Sequence, residues 1–207
     1  MKNLFYTIAI LVSSLVTAQG QFEQGMGRAM QLWSEGKNDE ASAIFERIAS
    51  AEKNSWLPNY YVAAVNTFAS FGTKDKDKMT AMLNKSQSAI DIEMSKNANN
   101  PEILVMQAMI HTAWISSDPM TNGMKLSGKV MQLYGKASAI DPKNPRVALS
   151  KTEFAIGGAA WTGANVKELC KDLDTAVELF ATFKPEMPFA PTWGLERALQ
   201  AQKNCKK

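Results

Sequence analysis

The sequence predicts an all-α fold, an α-α superhelix in which helical hairpins stack in a row. Three observations carry this expectation. Apolar residues recur at three- and four-residue steps along most of the chain, and no useful stretch alternates with period two. Proline recurs at Pro58, Pro101, Pro145 and Pro191, at steps of 43, 44 and 46 residues, which is the size of a two-helix repeat. Composition agrees: of 207 residues 45% are hydrophobic and 21% charged, enough for a core and too little charge for disorder. A net charge of +3 gives no support for a nucleic-acid binder, which needs basic residues massed on one face. One histidine and two cysteines argue against zinc chemistry, haem ligation and a Ser-His-Asp triad.

The N-terminus reads as an address. Lys2 precedes an uncharged, mostly apolar run from Leu4 to Val16, and Val16-Thr17-Ala18 supplies short side chains for cleavage after Ala18. Those thirteen residues reach about 20 Å as a helix, short of the ~30 Å hydrocarbon core, which argues against an uncleaved anchor. No cysteine lies near the cut, so a lipoprotein is disfavoured. Residues 1–18 are therefore expected to be a signal peptide and the mature protein to be periplasmic or secreted. In an oxidising compartment the even cysteine count makes a Cys170–Cys205 disulfide the leading reading, with two unrelated thiols as the alternative.

The helices follow in order. Met26, Met30 and Trp33 share one face, and Ala41, Ile44, Phe45 and Ile48 the next. Pro58 opens LPNYYVAAVNTF, followed more loosely by Ala81, Leu83, Ile90 and Met94. Pro101 opens NPEILVMQAMI, with Leu104, Ala108, His111 and Ile115 aligned, and Val130, Leu133, Tyr134 and Ala137 come after it. Pro145 opens NPRVALSKTEF, then Leu169, Leu173, Ala176, Val177 and Phe180 share a face; Pro191 opens APTWGLERAL. Proline in a first turn lacks only an amide that would be unpaired there anyway. Gly72–Lys78, Ser116–Lys125 and Gly157–Val166 are expected as polar connectors. A single domain over 19–207 results, with units of about 22–55, 56–98, 99–143 and 144–188 and a cap over 189–204.

These residues resemble the tetratricopeptide (TPR) family. Ala29, Leu32, Gly36, Asn38, Glu40-Ala41, Phe45 and Ile48 follow the family's order of small, large, turn glycine, alanine, aromatic and apolar positions. Tyr134-Gly135-Lys136-Ala137-Ser138-Ala139-Ile140-Asp141-Pro142 resembles the close of a second helix with its Asp-Pro turn. The units run about 44 residues where a TPR unit has about 34, so the array is a divergent one. The resemblance implies that first helices line a concave groove. By that placing Asn59, Val62, Asn66, Glu102, Val105, Met109, Thr112, Arg146, Leu149 and Glu153 are the candidates to face a partner. Residues 189–204 would cap the array, with Trp193, Leu195 and Leu199 as its apolar stripe. If that cap returns antiparallel to 167–182, Cys170 and Cys205 meet at one end, and closing their loop stabilises the fold by roughly 3–4 kcal/mol.

The remaining chemistry is modest. His111, among Met109, Ile110 and Trp114, reads as a packed side chain. The pairs Met26/Met30, Met79/Met82, Met106/Met109 and Met120/Met124 could suit Cu(I), but they are scattered, so adaptable core filling is the preferred reading. Lys74-Asp75-Lys76-Asp77-Lys78 reads as a solvated connector, and the glycines at 157, 158 and 163 around Trp161 as helix looseners. No base, nucleophile and orienting group assemble, and no cofactor or metal is called for. The expected function is that of an exported, non-enzymatic scaffold holding a protein or peptide in its concave groove, in the periplasm of a Gram-negative bacterium. The alternative is a small-ligand or lipid carrier with an apolar Trp/Met-lined pocket.

Overall fold

The computed structural model of the chain describes residues 20–205; the signal peptide expected over 1–18, with its cut after Ala18, falls outside the described residues. The described residues form helices and no strand. Helix α1 covers 20–34, followed by α2 (Asn38–Ala51), α3 (Leu57–Phe71), α4 (Lys76–Lys96), α5 (Pro101–Ser117) and α6 (Pro119–Ile140). Then come α7 (Pro145–Gly157), the single turn α8 (Ala159–Thr162), α9 (Val166–Thr182) and α10 (Leu195–Cys205). The pairs α1/α2, α3/α4, α5/α6 and α7/α9 are antiparallel hairpins. Helices α3, α5 and α7 pack on one another as an inner layer, and α10 lies against α9.

The helix starts follow from short polar residues set directly before proline. Asn100 accepts a bond from Glu102 N at 2.9 Å, Asn144 from Arg146 N at 3.0 Å and Val147 N at 3.2 Å, and Asp118 from Thr121 N at 3.1 Å. In each case the capping oxygen satisfies first-turn amides and the proline occupies the position whose amide has no partner. Asp75 and Asn165 cap α4 and α9 without a proline. This chemistry shortens two expected connectors: Asp75 caps α4, so Lys76–Lys78 is helical, and Asp118 ends α5 and caps α6 at once, so Met120–Lys125 is helical. The connector around Gly157–Val166 instead carries α8, ended by Gly163 at φ 71°.

Burial explains the layering. Every residue of α3 from Leu57 to Thr67, and of α5 from Glu102 to Ile110, is buried. A helix apolar on all sides belongs inside, and α2, α4 and α6 cover these two from the outer side. The opposite, concave side is covered by residues 183–194, which leave the end of α9, cross the inner helices and return to α10. Cap helix α10 begins at Leu195, after Gly194 at φ 118°, not at Pro191. Cys170 and Cys205 are bonded across α9 and α10, with Cα atoms 5.8 Å apart.

Candidate functional site

The inner helices present a floor of aromatic rings. Tyr61 and Phe68 lie seven residues apart on α3, two turns along one face. Trp33 of α1 stacks on Phe68 and meets Tyr61 edge-on, each at 5.9 Å between centroids. Phe45 of α2 stacks on Tyr61 at 5.2 Å, and Tyr60 meets both Tyr61 and Trp56 edge-on. Burial pushes the Tyr60 hydroxyl well above its ordinary range, with the Glu102 charge adding to the effect.

Residues 183–194 lie on this floor as a strap. Phe189 meets Phe22 of α1 at 6.2 Å, and its carbonyl accepts from the Tyr61 hydroxyl at 2.7 Å. Trp193 meets Phe68 at 5.1 Å and donates its indole N–H to the Tyr60 hydroxyl at 2.7 Å. Farther along the array, Phe183 lies 4.4 Å from the Arg146 guanidinium. Arg146 is 1% exposed and binds Glu102 through Nε at 2.8 and 2.9 Å and through Nη2 at 2.6 Å; Asn144 also donates to Glu102, at 2.7 Å. Glu102 and Arg146 each follow the proline that opens their helix, so the repeat itself pairs them. Glu153 and Arg197, also 44 residues apart, form a second ion pair between α7 and α10.

The residues assigned to the groove by family resemblance are thus mostly interior. Asn59 donates to Glu93 of α4 at 2.6 Å, and Asn66 to Ser42 of α2 at 2.8 Å, both toward the outer layer. Val62, Val105, Met109 and Leu149 are buried in the core clusters. Thr112, half-buried, bonds Ala108 O in its own helix. Glu102, Arg146 and Glu153 face the concave side and are covered by the strap and α10. Sequence reasoning missed Phe183 and Phe189 as strap anchors; the alternation of these aromatics with Pro185, Pro188 and Pro191 was the available signal. Trp193 sits in the strap, while Leu195 and Leu199 of the expected cap stripe are exposed.

Other large apolar side chains stand exposed at or near the turns within hairpins. Phe71 ends α3, Met120 and Met124 begin α6, and Trp161 occupies α8; Met124 is 93% exposed, Trp161 77% and Met120 74%. Tyr134 of α6 meets Phe154 of α7 at 6.3 Å between ring centroids, tying the two helices that carry these segments. Neighbouring turns are also electrostatically linked. The bond from Thr121, with Lys76 and Lys125 adding, holds the Asp118 carboxyl below its ordinary range. Lys74 and Lys167 stand exposed in the flanking turns. A separate open depression of about 820 Å³ on α1 and α2 is lined by Arg28, Glu40, Glu46 and Arg47, with no Trp or Met.

His111 is half-buried beside Gln107, and burial, with Lys129 adding, pushes its imidazole below the ordinary 6.5. Among the described residues no group of three or more His, Cys, Asp or Glu side chains could hold a metal ion. No helix among them is long and apolar enough to cross a membrane.

No family model matches the chain, and no curated protein matches it. Among solved structures, the chain is similar to the HusA haemophore from Porphyromonas gingivalis, with a TM-score of 0.79 and 20% identity over 89% of this chain and 92% of that one. It is also similar to a thermophilic TPR protein of Thermus thermophilus, with a TM-score of 0.65 and 12% identity over 89% and 80% of the two chains. The fold is an all-α, TPR-like superhelix.

Proposed function

We propose that this chain is an exported, non-enzymatic carrier of a flat, apolar, anionic ring of the porphyrin class, held at the turn edge. The observation that carries this reading is the exposure of three large apolar side chains, Trp161, Met120 and Met124, in hairpin turns whose neighbours Lys125 and Lys167 are exposed too. A tryptophan offers a face for stacking, thioether side chains adapt to an irregular apolar shape, and lysines attract carboxylates on the ring's rim. The likeness to a haemophore over about nine-tenths of both chains supports the carrier role. A stacking face and lysines at the rim recognise the ring itself, so binding does not require its iron. The signal-peptide reading of residues 1–18 and the Cys170–Cys205 bond support an oxidising destination such as the periplasm.

Titration with haem and with its metal-free ring, followed by absorbance and tryptophan quenching, tests the proposal. Both rings should bind with similar affinity. Trp161→Ala, and Met120→Ala with Met124→Ala, should each weaken binding roughly tenfold, on the ~1–2 kcal/mol scale of a lost stacking or packing contact. Unchanged affinity in both variants overturns the edge site. A second reading, a scaffold holding a protein or peptide in the concave groove, is favoured by the extended strap that already lies there.

A further inference from the structure

The concave face is filled by the chain's own residues, held by the Tyr61–Phe189 and Trp193–Tyr60 hydrogen bonds and their ring contacts, and three features weaken that hold wherever it is not covalent. The strap hides charge: Phe183 covers Arg146, and Nη1 of that guanidinium has no hydrogen-bond partner. Keeping an ion pair out of water carries a desolvation penalty that rings alone do not offset. The strap is also bent through Phe189 at φ 61°, a left-handed conformation that a bulky side chain adopts at a cost. Helix α10, which terminates the strap, has Ala198 as its one buried residue. Its polar ties are the partly exposed Arg197–Glu153 pair and an exposed bond from Gln202 to Asp174. The Cys170–Cys205 bond ties the end of α10 to the start of α9, and so closes covalently the loop that contains the strap, beside the packing of Ala198 on Leu173, Ala176 and Phe180.

We propose that the Cys170–Cys205 bond is the latch of an autoinhibitory strap, and that reducing it frees residues 183–205 and opens the ring-lined groove to an extended peptide. The opening step is thiol–disulfide exchange. A dithiol reductant attacks one sulfur, its second thiol resolves the mixed disulfide, and two electrons and two protons pass to Cys170 and Cys205 while the reductant becomes a disulfide. The occupant in cis defines the chemistry of the occupant in trans. It is an extended segment with aromatic anchors where Phe183, Phe189 and Trp193 stand, kept from coiling by prolines between them. This device is independent of the carrier reading, because the ring site on the turn edge shares no residue with it.

The test uses the full chain and a fluorescent synthetic peptide with the sequence of residues 183–194. Oxidised protein should exclude the peptide. Treatment with dithiothreitol should admit it and speed amide exchange over 183–205 by up to several hundredfold, roughly the scale set by releasing a loop of this length. Helical circular dichroism should persist, and reoxidation should expel the peptide. Cys170→Ser with Cys205→Ser should behave as the reduced protein without any reductant. Equal peptide binding by oxidised protein overturns the proposal. So does unchanged exchange or peptide exclusion after reduction, or collapse of the whole helical signal on reduction, since the bond would then hold the fold and not the strap. Porphyrin uptake is read separately, so failure of either proposal is distinguishable from failure of the other.

Discussion

Glu102→Ala should be among the most damaging single substitutions in the inner layer. Glu102 is 7% exposed and accepts from Arg146 Nε and Nη2 and from Asn144 Nδ2. Removing its carboxylate leaves a guanidinium that is 1% exposed, whose Nη1 already lacks a partner, with no counter-charge. Breaking one side of such a buried pair costs about 3–5 kcal/mol. With an m-value of about 2 kcal/mol/M for a chain of this size, the urea midpoint should fall by about 1.5–2.5 M at nearly constant m. Glu102→Leu combined with Arg146→Met should recover most of the loss, since two apolar side chains of similar volume need no counter-charge. The coupling between the two sites is read from the double-mutant cycle. If Glu102→Ala costs less than about 1 kcal/mol, water reaches Arg146 and the strap does not seal the concave face.

Three other outcomes follow from single observations. Phe45→Ala removes a fully buried ring stacked on Tyr61, and should lower stability by about 3–5 kcal/mol in urea denaturation. Gly194→Ala places a Cβ 2.5 Å from Phe180 Cζ at a φ of 118°, and should cost roughly 2–3 kcal/mol, seen as a Tm lower by about 4–12 °C in a circular-dichroism melt. His111 is held below its ordinary 6.5 in the folded chain, so the unfolded chain binds more protons between the folded value and 6.5. Its contribution to stability is therefore present above pH 6.5 and declines as pH falls through that window. His111→Gln should flatten this part of the stability–pH curve, and an unchanged slope would place the titrating group elsewhere.

Much of the fold is legible in the chain because its signals are local. Asn100-Pro101 and Asn144-Pro145 announce helix starts through one capping oxygen and one missing amide, and the structure uses both. Three- and four-residue apolar steps place Ala41 and Phe45, or Tyr134 and Ala137, on buried faces without any knowledge of neighbours. Cys170 and Cys205 are the chain's two cysteines, and helix length brings them to one end once the cap returns antiparallel, as the bond between them shows. The site is another matter. Whether Glu102 and Arg146 face a partner or each other depends on which residues cover them, and a contact between α7 and residue 183 is invisible to a pattern within either. The strap carries Pro185, Pro188 and Pro191, so it has no period to read. Met120 and Met124 share the helical spacing of core residues, and only the packing of the folded chain shows that they and Trp161 are bare.

The period of the array also explains why its inner wall is closed. When a repeat is copied with little change, the same position in successive units meets itself across the interface, as Glu102 meets Arg146. Opposite charges at equivalent positions then neutralise each other within the stack, and little of that charge remains for a visitor. What the wall retains is aromatic: Trp33, Tyr60, Tyr61 and Phe68 form a surface too apolar to stand in water. A chain that builds such a wall must cover it, either with a partner made at the same time or with a piece of itself. Placing the cover between α9 and α10 keeps it at high local concentration from the moment of folding, and closing that loop covalently removes the alternative in which the cover drifts away. The turn edge needs no such cover, because its apolar side chains are few and interspersed with lysines. One apolar surface is therefore masked by the strap, while Met120, Met124 and Trp161 are left exposed.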